Sequence, residues 1–165
     1  MKPFGHPAAL LLILFVCFAG YVVVTTQHLP PRVATHFNAS GHADGWMSRT
    51  SILKFTLGFG FGLPAFLVTL FGLLRYLPNS MINIPDRDYW LAPERRDATY
   101  AMVWHHSFWL GSLTVALMAG LHYRIPRANA VSPPGISTMQ ITVLCGSFLL
   151  GTLAWILTLL RKLKR

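Results

Sequence analysis

Residues 29–46 have the sequence LPPRVATHFNASGHADGW, and they separate two long stretches of chain that carry no charged side chain. The first uncharged stretch covers residues 7–27, and the second covers residues 55–74. A helix needs about 20 apolar residues to cross the roughly 30 Å of hydrocarbon in a bilayer. The polar segment therefore predicts two membrane-spanning helices that are joined by a loop at one membrane surface.

Two further uncharged stretches, residues 98–123 and 136–160, are also long enough to cross a bilayer. Backbone N–H and C=O groups in lipid must form hydrogen bonds within the segment, and this favours helices. We therefore expect an all-α integral membrane protein, in which four transmembrane helices form a compact bundle and a single domain. The expected helices cover residues 7–27, 52–77, 93–123 and 136–161, and the polar loop covers residues 28–50.

The composition excludes an ordinary soluble domain, because 53% of the residues are hydrophobic and only 12% are charged. Soluble domains carry about a quarter charged residues. The net charge of +9 comes from basic residues that lie between apolar stretches and at the end of the chain. This placement suits anionic lipid headgroups, and no basic stripe with interleaved aromatic residues predicts nucleic-acid binding. We expect the lipid bilayer, and not a nucleic acid, as a partner.

The distribution of lysine and arginine predicts the orientation, because these residues are enriched in cytoplasmic loops. One side of the predicted membrane carries nine of them and the other carries five. The richer side contains Lys2, Arg75, Arg87, Arg95, Arg96, Arg161, Lys162, Lys164 and Arg165. Both termini are therefore expected in the cytoplasm, and loop 28–50 is expected outside.

Small residues spaced four apart predict close helix packing. Gly58 and Gly62 form a GxxxG motif on the second predicted helix, and Ser107/Gly111 form a similar pair on the third. Pro64 is expected to kink the second helix. These motifs favour a compact bundle and leave a homo-oligomer open.

The polar loop resembles a known family at several fixed positions: LP at 29–30, HFN at 36–38, Gly41, and DGW at 44–46. This pattern resembles a bacterial membrane domain of unknown function, which also occurs at the N-terminus of SdpI-type immunity proteins. Those proteins protect producer cells from a secreted toxic peptide. The resemblance implies a multi-pass protein of the bacterial cytoplasmic membrane, with an SdpI-like role in immunity or sensing. Residues 83–96, NIPDRDYWLAPERR, resemble short four-helix members of the same wider family.

Three residues of the loop are predicted to shape it. Pro30, followed by a second proline, cannot continue the first helix and ends it there. Gly41 and Gly45 permit positive φ, and the Asp-Gly dipeptide at 44–45 is typical of a turn. We expect a rigid loop.

The side chains of His36, Asn38, Asp44 and Trp46 are then the candidates for binding a ligand or a partner. An alternative is that these groups serve the loop itself. In that case the histidine and the asparagine satisfy backbone groups, and Asp44 forms an Asx-turn or a salt bridge with Arg32.

A divalent metal ion is a further hypothesis for this surface. Imidazole and carboxylate groups suit zinc or a similar ion, and His36 and Asp44 are the expected ligands, with His122 at the end of the third helix as a third. The spacing of His36 and His42 matches no recognised zinc pattern. No other cofactor is expected.

Two classes of function follow from these observations. The first is a non-enzymatic membrane protein whose outer loop recognises an extracytoplasmic peptide or protein, since no catalytic constellation is present in the sequence. The alternative is a membrane-embedded metal-dependent enzyme or a small transporter. His105 and His106, of which at most one can face the interior, fit either an intramembrane site or an interhelical hydrogen bond.

Overall fold

The computed structural model describes residues 6–164, and most of them are helical. In chain order the elements are α1 (His6–Gln27), β1 (Arg32–Phe37), β2 (Ala43–Ser48), α2 (Arg49–Leu73), α3 (Arg87–Trp90), α4 (Arg96–Asn129) and α5 (Thr138–Leu163). Short 3₁₀ turns cover Leu74–Tyr76 and Asn79–Met81. Lys2 and Arg165, two of the basic residues that predict the orientation, lie outside the described residues.

Within residues 6–164, three helical segments are long and apolar enough to cross a membrane: His6–Gln27, Arg49–Tyr76 and Thr138–Leu163. This finding supports the prediction of a membrane protein. The fourth long helix, α4, has 34 residues but does not reach the same apolarity. It extends past the expected end at Tyr123 to Asn129.

Helix α4 is less apolar because it lies at the centre of the helical body, which we define as α1, α2, α4 and α5. The other three helices all pack against α4. Its buried face includes polar residues such as Ser112 and Thr114, whose hydroxyls each donate to a carbonyl one turn earlier, at 2.9 Å. A helix that packs against protein on several sides does not need the uniformly apolar surface of a lipid-facing helix.

The glycine that permits close packing between α1 and α2 differs from the predicted pair. A Cβ atom on Gly58 or Gly62 would meet nothing within 4 Å, so the GxxxG prediction is wrong for contacts within this chain. A Cβ atom on Gly60 would instead overlap the ring of Phe18, which is buried with Leu11 in the main apolar core. The glycine needed for close packing is therefore Gly60, which lies between the two glycines of the predicted motif.

His106 joins α4 to α5. Its Nε2 lies 3.1 Å from the carbonyl oxygen of Trp155 and 3.3 Å from the hydroxyl of Thr158. The indole N–H of Trp155 donates back to the carbonyl oxygen of His106 at 2.9 Å, and the two rings stack. The interhelical hydrogen bond, which was one of the two expectations for this histidine, is present. His105 lies on a different face and lines a groove between helices.

The prediction that the chain is entirely α-helical is wrong for the polar segment after α1. Strands β1 and β2 form an antiparallel hairpin, which lies at the end of the helical body where α4 ends. Residues 77–95 close the opposite end. There, Trp90 donates from its indole N–H to the carbonyl oxygen of Leu163 at 2.7 Å, and Arg96 donates to the carbonyl oxygen of Arg75 at 3.3 Å.

Candidate recognition site on the hairpin

The two strands of the hairpin pair in a defined register. Val33 lies opposite Met47, Ala34 opposite Trp46, and His36 opposite Gly45, with irregularities on either side of the histidine. These irregularities are β-bulges, which bend a strand and redirect side chains.

One face of the hairpin packs on the helical body and the other is exposed. Val33 is buried in an apolar cluster with Leu29 and Ile52. Thr35 and Phe37, on the same side, line a cavity of about 240 Å³ between the hairpin and the helices. Arg32 and His36 are exposed on the other side of the hairpin. The candidate polar groups of the sequence therefore lie on the outer side of the hairpin.

Asn38 builds the turn between the strands. Its side-chain oxygen accepts hydrogen bonds from the backbone N–H groups of Ser40 and His42, both at 3.0 Å, and its backbone N–H donates to the carbonyl oxygen of His42 at 2.9 Å. This is the Asx-type use of an asparagine. The amide oxygen of Asn38 is thus hydrogen-bonded within the loop. This agrees with the alternative that the asparagine satisfies backbone groups of the loop itself.

Gly41 has the positive φ that the sequence predicts, at 83°. Its carbonyl oxygen accepts from the N–H of Ile136 at 2.9 Å, and a Cβ atom here would overlap the carbonyl oxygen of that residue. The turn of the hairpin is therefore attached by backbone atoms to the connection between α4 and α5. A hydrogen bond of 3.2 Å from the hydroxyl of Thr138 to the carbonyl oxygen of Ala39 adds to this attachment.

Gly45 has a different role from the predicted one. Within the described residues, Gly41 is the only glycine with positive φ, so the prediction for Gly45 is wrong. A Cβ atom on Gly45 would lie 2.7 Å from the Cβ of His36. The missing side chain lets His36 lie across the opposite strand, where its Nδ1 reaches Oδ1 of Asp44 at 2.5 Å. Gly45 thus makes room for the exposed His36–Asp44 pair.

Arg32 and Trp46 form the second contact on the exposed face. The guanidinium carbon of Arg32 lies 5.2 Å from the centre of the indole ring, within the range of a cation–π interaction. The anticipated salt bridge between Arg32 and Asp44 is not present, because the carboxylate pairs with His36. Trp46 remains 41% exposed and is a large aromatic surface next to the histidine–aspartate pair.

The outer edge of β1 is covered by Asn129, at the end of α4. Its side-chain oxygen accepts from the N–H of Ala34 at 2.8 Å, and its side-chain N–H₂ donates to the carbonyl oxygen of Ala34 at 2.9 Å. The same N–H₂ group also donates to the carbonyl oxygen of Ile125. One amide therefore pairs with the strand as a neighbouring strand would, and it joins the hairpin to α4.

Among residues 6–164, the outer edge of β2 is open at Trp46. Antiparallel pairs alternate between residues that bond each other and residues whose backbone groups point outward. Because Ala34 directs both groups to Asn129, its partner Trp46 directs its N–H and C=O away from β1. Among residues 6–164, no group bonds to these two atoms. An unpaired edge of this kind can accept an added strand.

The structure brings two of the three expected metal ligands together and places the third elsewhere. His36 and Asp44 pair on the exposed face, whereas His122 is buried beside α1, with its Nε2 2.8 Å from the hydroxyl of Thr25. His122 also lines the cavity on the inner side of the hairpin. In the described part of the chain, no group of three or more His, Cys, Asp or Glu side chains is arranged to hold a metal ion.

Two residues that position the hairpin were missed by the sequence analysis. Arg49 donates to the carbonyl oxygens of Gln27 and Leu29 at 3.0 and 3.1 Å, and so satisfies the end of α1. Asn129 is 95 residues away from Ala34 in sequence, and nothing local marks the contact. Pro30, predicted to shape the loop, lies exposed between α1 and β1.

Comparison with known proteins gives a match, and it includes the hairpin. A family profile described as a domain of unknown function (DUF1648) matches residues 12–59, which cover most of α1, the hairpin and the first part of α2. The match supports the resemblance to a domain of unknown function. No curated protein and no solved structure matches the chain.

Proposed function

We propose that this chain is a multi-pass protein of the bacterial cytoplasmic membrane, and that its hairpin binds an extended peptide segment of an extracytoplasmic partner along the open edge of β2. The observation that carries the proposal is the difference between the two edges of the hairpin. Asn129 covers the backbone groups of Ala34, whereas those of Trp46 have no partner in the described part of the chain. Strand addition to an open edge is a common mode of peptide recognition.

The side chains near the open edge supply specificity in this proposal. Trp46 offers an exposed ring to an apolar or aromatic side chain of the peptide. Asp44 uses one carboxylate oxygen for His36, and the other can accept a hydrogen bond from a basic side chain. An SdpI-like immunity or sensing role would be the case in which the bound peptide is a toxic or signalling peptide.

The proposed topology has four membrane crossings with both termini in the cytoplasm and the hairpin outside. It is supported by the course of α4. The start of this helix meets the end of α2 through Arg96 and Arg75, and its end meets the hairpin through Asn129. At about 1.5 Å per residue, its 34 residues exceed the roughly 30 Å of the hydrocarbon core. If α2 crosses the membrane, α4 returns across it.

The test of peptide binding is a comparison of two substitutions at one position. The wild-type protein in lipid nanodiscs would be used to select linear peptides from a phage-displayed library. The selected peptides would then be titrated against Trp46→Ala and Trp46→Pro. Both variants lose the indole ring, but only the proline variant also loses the outward N–H, which an edge strand tolerates.

The peptides should bind Trp46→Pro about 3- to 10-fold more weakly than Trp46→Ala, because one hydrogen bond contributes about 0.5–1.5 kcal/mol. Thermal unfolding of both variants would check that the hairpin stays folded. Equal affinity for the two variants, or a library that yields no binder, would contradict recognition through the β2 edge.

A further inference from the structure

A groove of about 770 Å³ lies between α2 and α4 at the end of the helical body opposite the hairpin. Its apolar walls include Val68 and Leu73 from α2 and Met102 from α4. Gly72 makes room for the indole of Trp104, whose Nε1 lies 3.0 Å from the position of a Cβ atom on the glycine. This volume falls within the usual range for cavities that bind small molecules.

The charged side chains of the groove are cationic. Arg75 and Lys162 line it, and no aspartate or glutamate among the described residues does. Neither cation forms an ion pair within residues 6–164. Arg96, which donates to the carbonyl oxygen of Arg75 at 3.3 Å, places a third positive charge nearby. Unpaired cations beside an apolar groove match a ligand with an anionic head and an apolar tail.

Two neighbouring groups bear on ligand binding in the groove. The backbone next to Lys162 is fixed by the hydrogen bond between the indole N–H of Trp90 and the carbonyl oxygen of Leu163, which is 1% exposed. Tyr100 also lines the groove, and its buried hydroxyl has no hydrogen-bond partner among the described residues. A phosphate or ester oxygen of a bound molecule would supply an acceptor for this hydroxyl.

We infer that this groove binds one anionic phospholipid, with the phosphate between Arg75 and Lys162 and one acyl chain along Val68, Met102 and Trp104. A neutral lipid would leave the two cations unpaired, and a free phosphate would leave the apolar walls uncovered. The site lies at the opposite end of the molecule from the hairpin. It therefore goes beyond the proposed peptide recognition and does not depend on it.

Native mass spectrometry of the detergent-purified, delipidated chain tests the inference. The protein would be titrated with phosphatidylglycerol, with phosphatidylcholine of the same acyl chains, and with glycerol 3-phosphate, which has no acyl chain. The head-group variants are Arg75→Gln and Lys162→Gln. The matched control is Arg161→Gln, which removes the same charge from the neighbouring residue of α5 but from outside the groove.

Phosphatidylglycerol should bind with one tight site, at least about tenfold more strongly than phosphatidylcholine. Each head-group variant should weaken it about fivefold, the effect of one basic residue near an anionic lipid. Arg161→Gln should leave the affinity unchanged. Ala101→Phe, which fills the groove without changing a charge, should weaken the binding of both lipids. Circular dichroism would confirm that the variants keep their helices.

Three results would overturn the inference. Equal binding of the two lipids would show that the cations do not select the head group. An equal loss in Arg161→Gln and Lys162→Gln would show general attraction to the basic helix end. Binding of glycerol 3-phosphate as strongly as the lipid would show a site for a soluble anion.

Discussion

The two polar segments that close the helical body, residues 28–48 and residues 77–95, have similar lengths but are held in different ways. The first is attached mainly through backbone groups, at Ala34 and at Gly41. The second is attached at Trp90 in two ways: its indole N–H donates to the carbonyl oxygen of Leu163, and its own carbonyl oxygen accepts from the hydroxyl of Thr99. The hairpin is therefore held at backbone atoms of Ala34 and Gly41, whereas residues 77–95 also depend on the side chain of Trp90.

Charge distinguishes the two ends of the helical body. On the hairpin, the carboxylate of Asp44 is paired with His36. At the opposite end, Arg75 and Lys162 have no acidic partner within residues 6–164. The proposed peptide site therefore lies beside a paired carboxylate, and the proposed lipid site lies beside cations that have no acidic partner among the described residues.

The largest effect is expected where the hairpin meets α4. Asn129→Ala would remove both partners of the Ala34 backbone, which is fully buried. Leaving buried polar groups unpaired costs about 1–3 kcal/mol each. We expect a loss of about 3 kcal/mol in the local stability of the hairpin. Hydrogen–deuterium exchange of residues 32–37 should become about 100-fold faster.

Asn79→Ala is the matched control at the opposite end. Its amide makes one long hydrogen bond, 3.5 Å to the carbonyl oxygen of Leu91. The substitution should change exchange in residues 77–95 less than about threefold. If the two asparagine variants behave alike, the contrast between backbone and side-chain attachment does not hold.

The helices and the hairpin were not equally predictable. The positions of α1, α2 and α5 follow from uncharged stretches, because transfer to lipid dominates the energetics of such segments. The positive φ of Gly41 follows from local turn chemistry. Strand β1, RVATHF, contains the β-branched residues Val33 and Thr35, which were a signal for a strand that the sequence analysis did not use.

The parts of the site that could not be predicted depend on contacts between distant residues. Asn129 and Ala34 meet only because α4 runs from one end of the helical body to the other. The space that Gly45 leaves for His36 depends on a strand register that is set by bulges. Neither arrangement leaves a pattern in a single sequence.

The second prediction tests how closely the hairpin is packed. Gly45→Ala would place a Cβ atom 2.7 Å from the Cβ of His36, and neither atom can move without the backbone. Overpacking of this kind costs about 1–3 kcal/mol. The midpoint of thermal unfolding in detergent should fall by about 4–8 °C.

Gly58→Ala is the control for this substitution. Its new methyl group would meet nothing within 4 Å, and alanine is favoured over glycine in a helix by about 0.5–1 kcal/mol. This variant should unfold at the same or a higher temperature. A loss of stability equal to that of Gly45→Ala would mean that Gly58 has a packing partner, such as a second copy of the chain.

The smallest effect is expected in residues 77–95, where the side chain of Trp90 makes the contact. Trp90→Phe keeps an aromatic ring but removes the N–H that donates to Leu163. The loss should be about 1 kcal/mol, or about 2–4 °C in the unfolding midpoint, because the freed carbonyl lies at a helix end. Trp109→Phe is the control, since Trp109 is exposed and has no hydrogen-bond partner among the described residues. Trp90→Phe could instead destabilise the protein as much as Asn129→Ala does. In that case a single contact would hold residues 77–95 too, and the two regions would not differ in how they are attached.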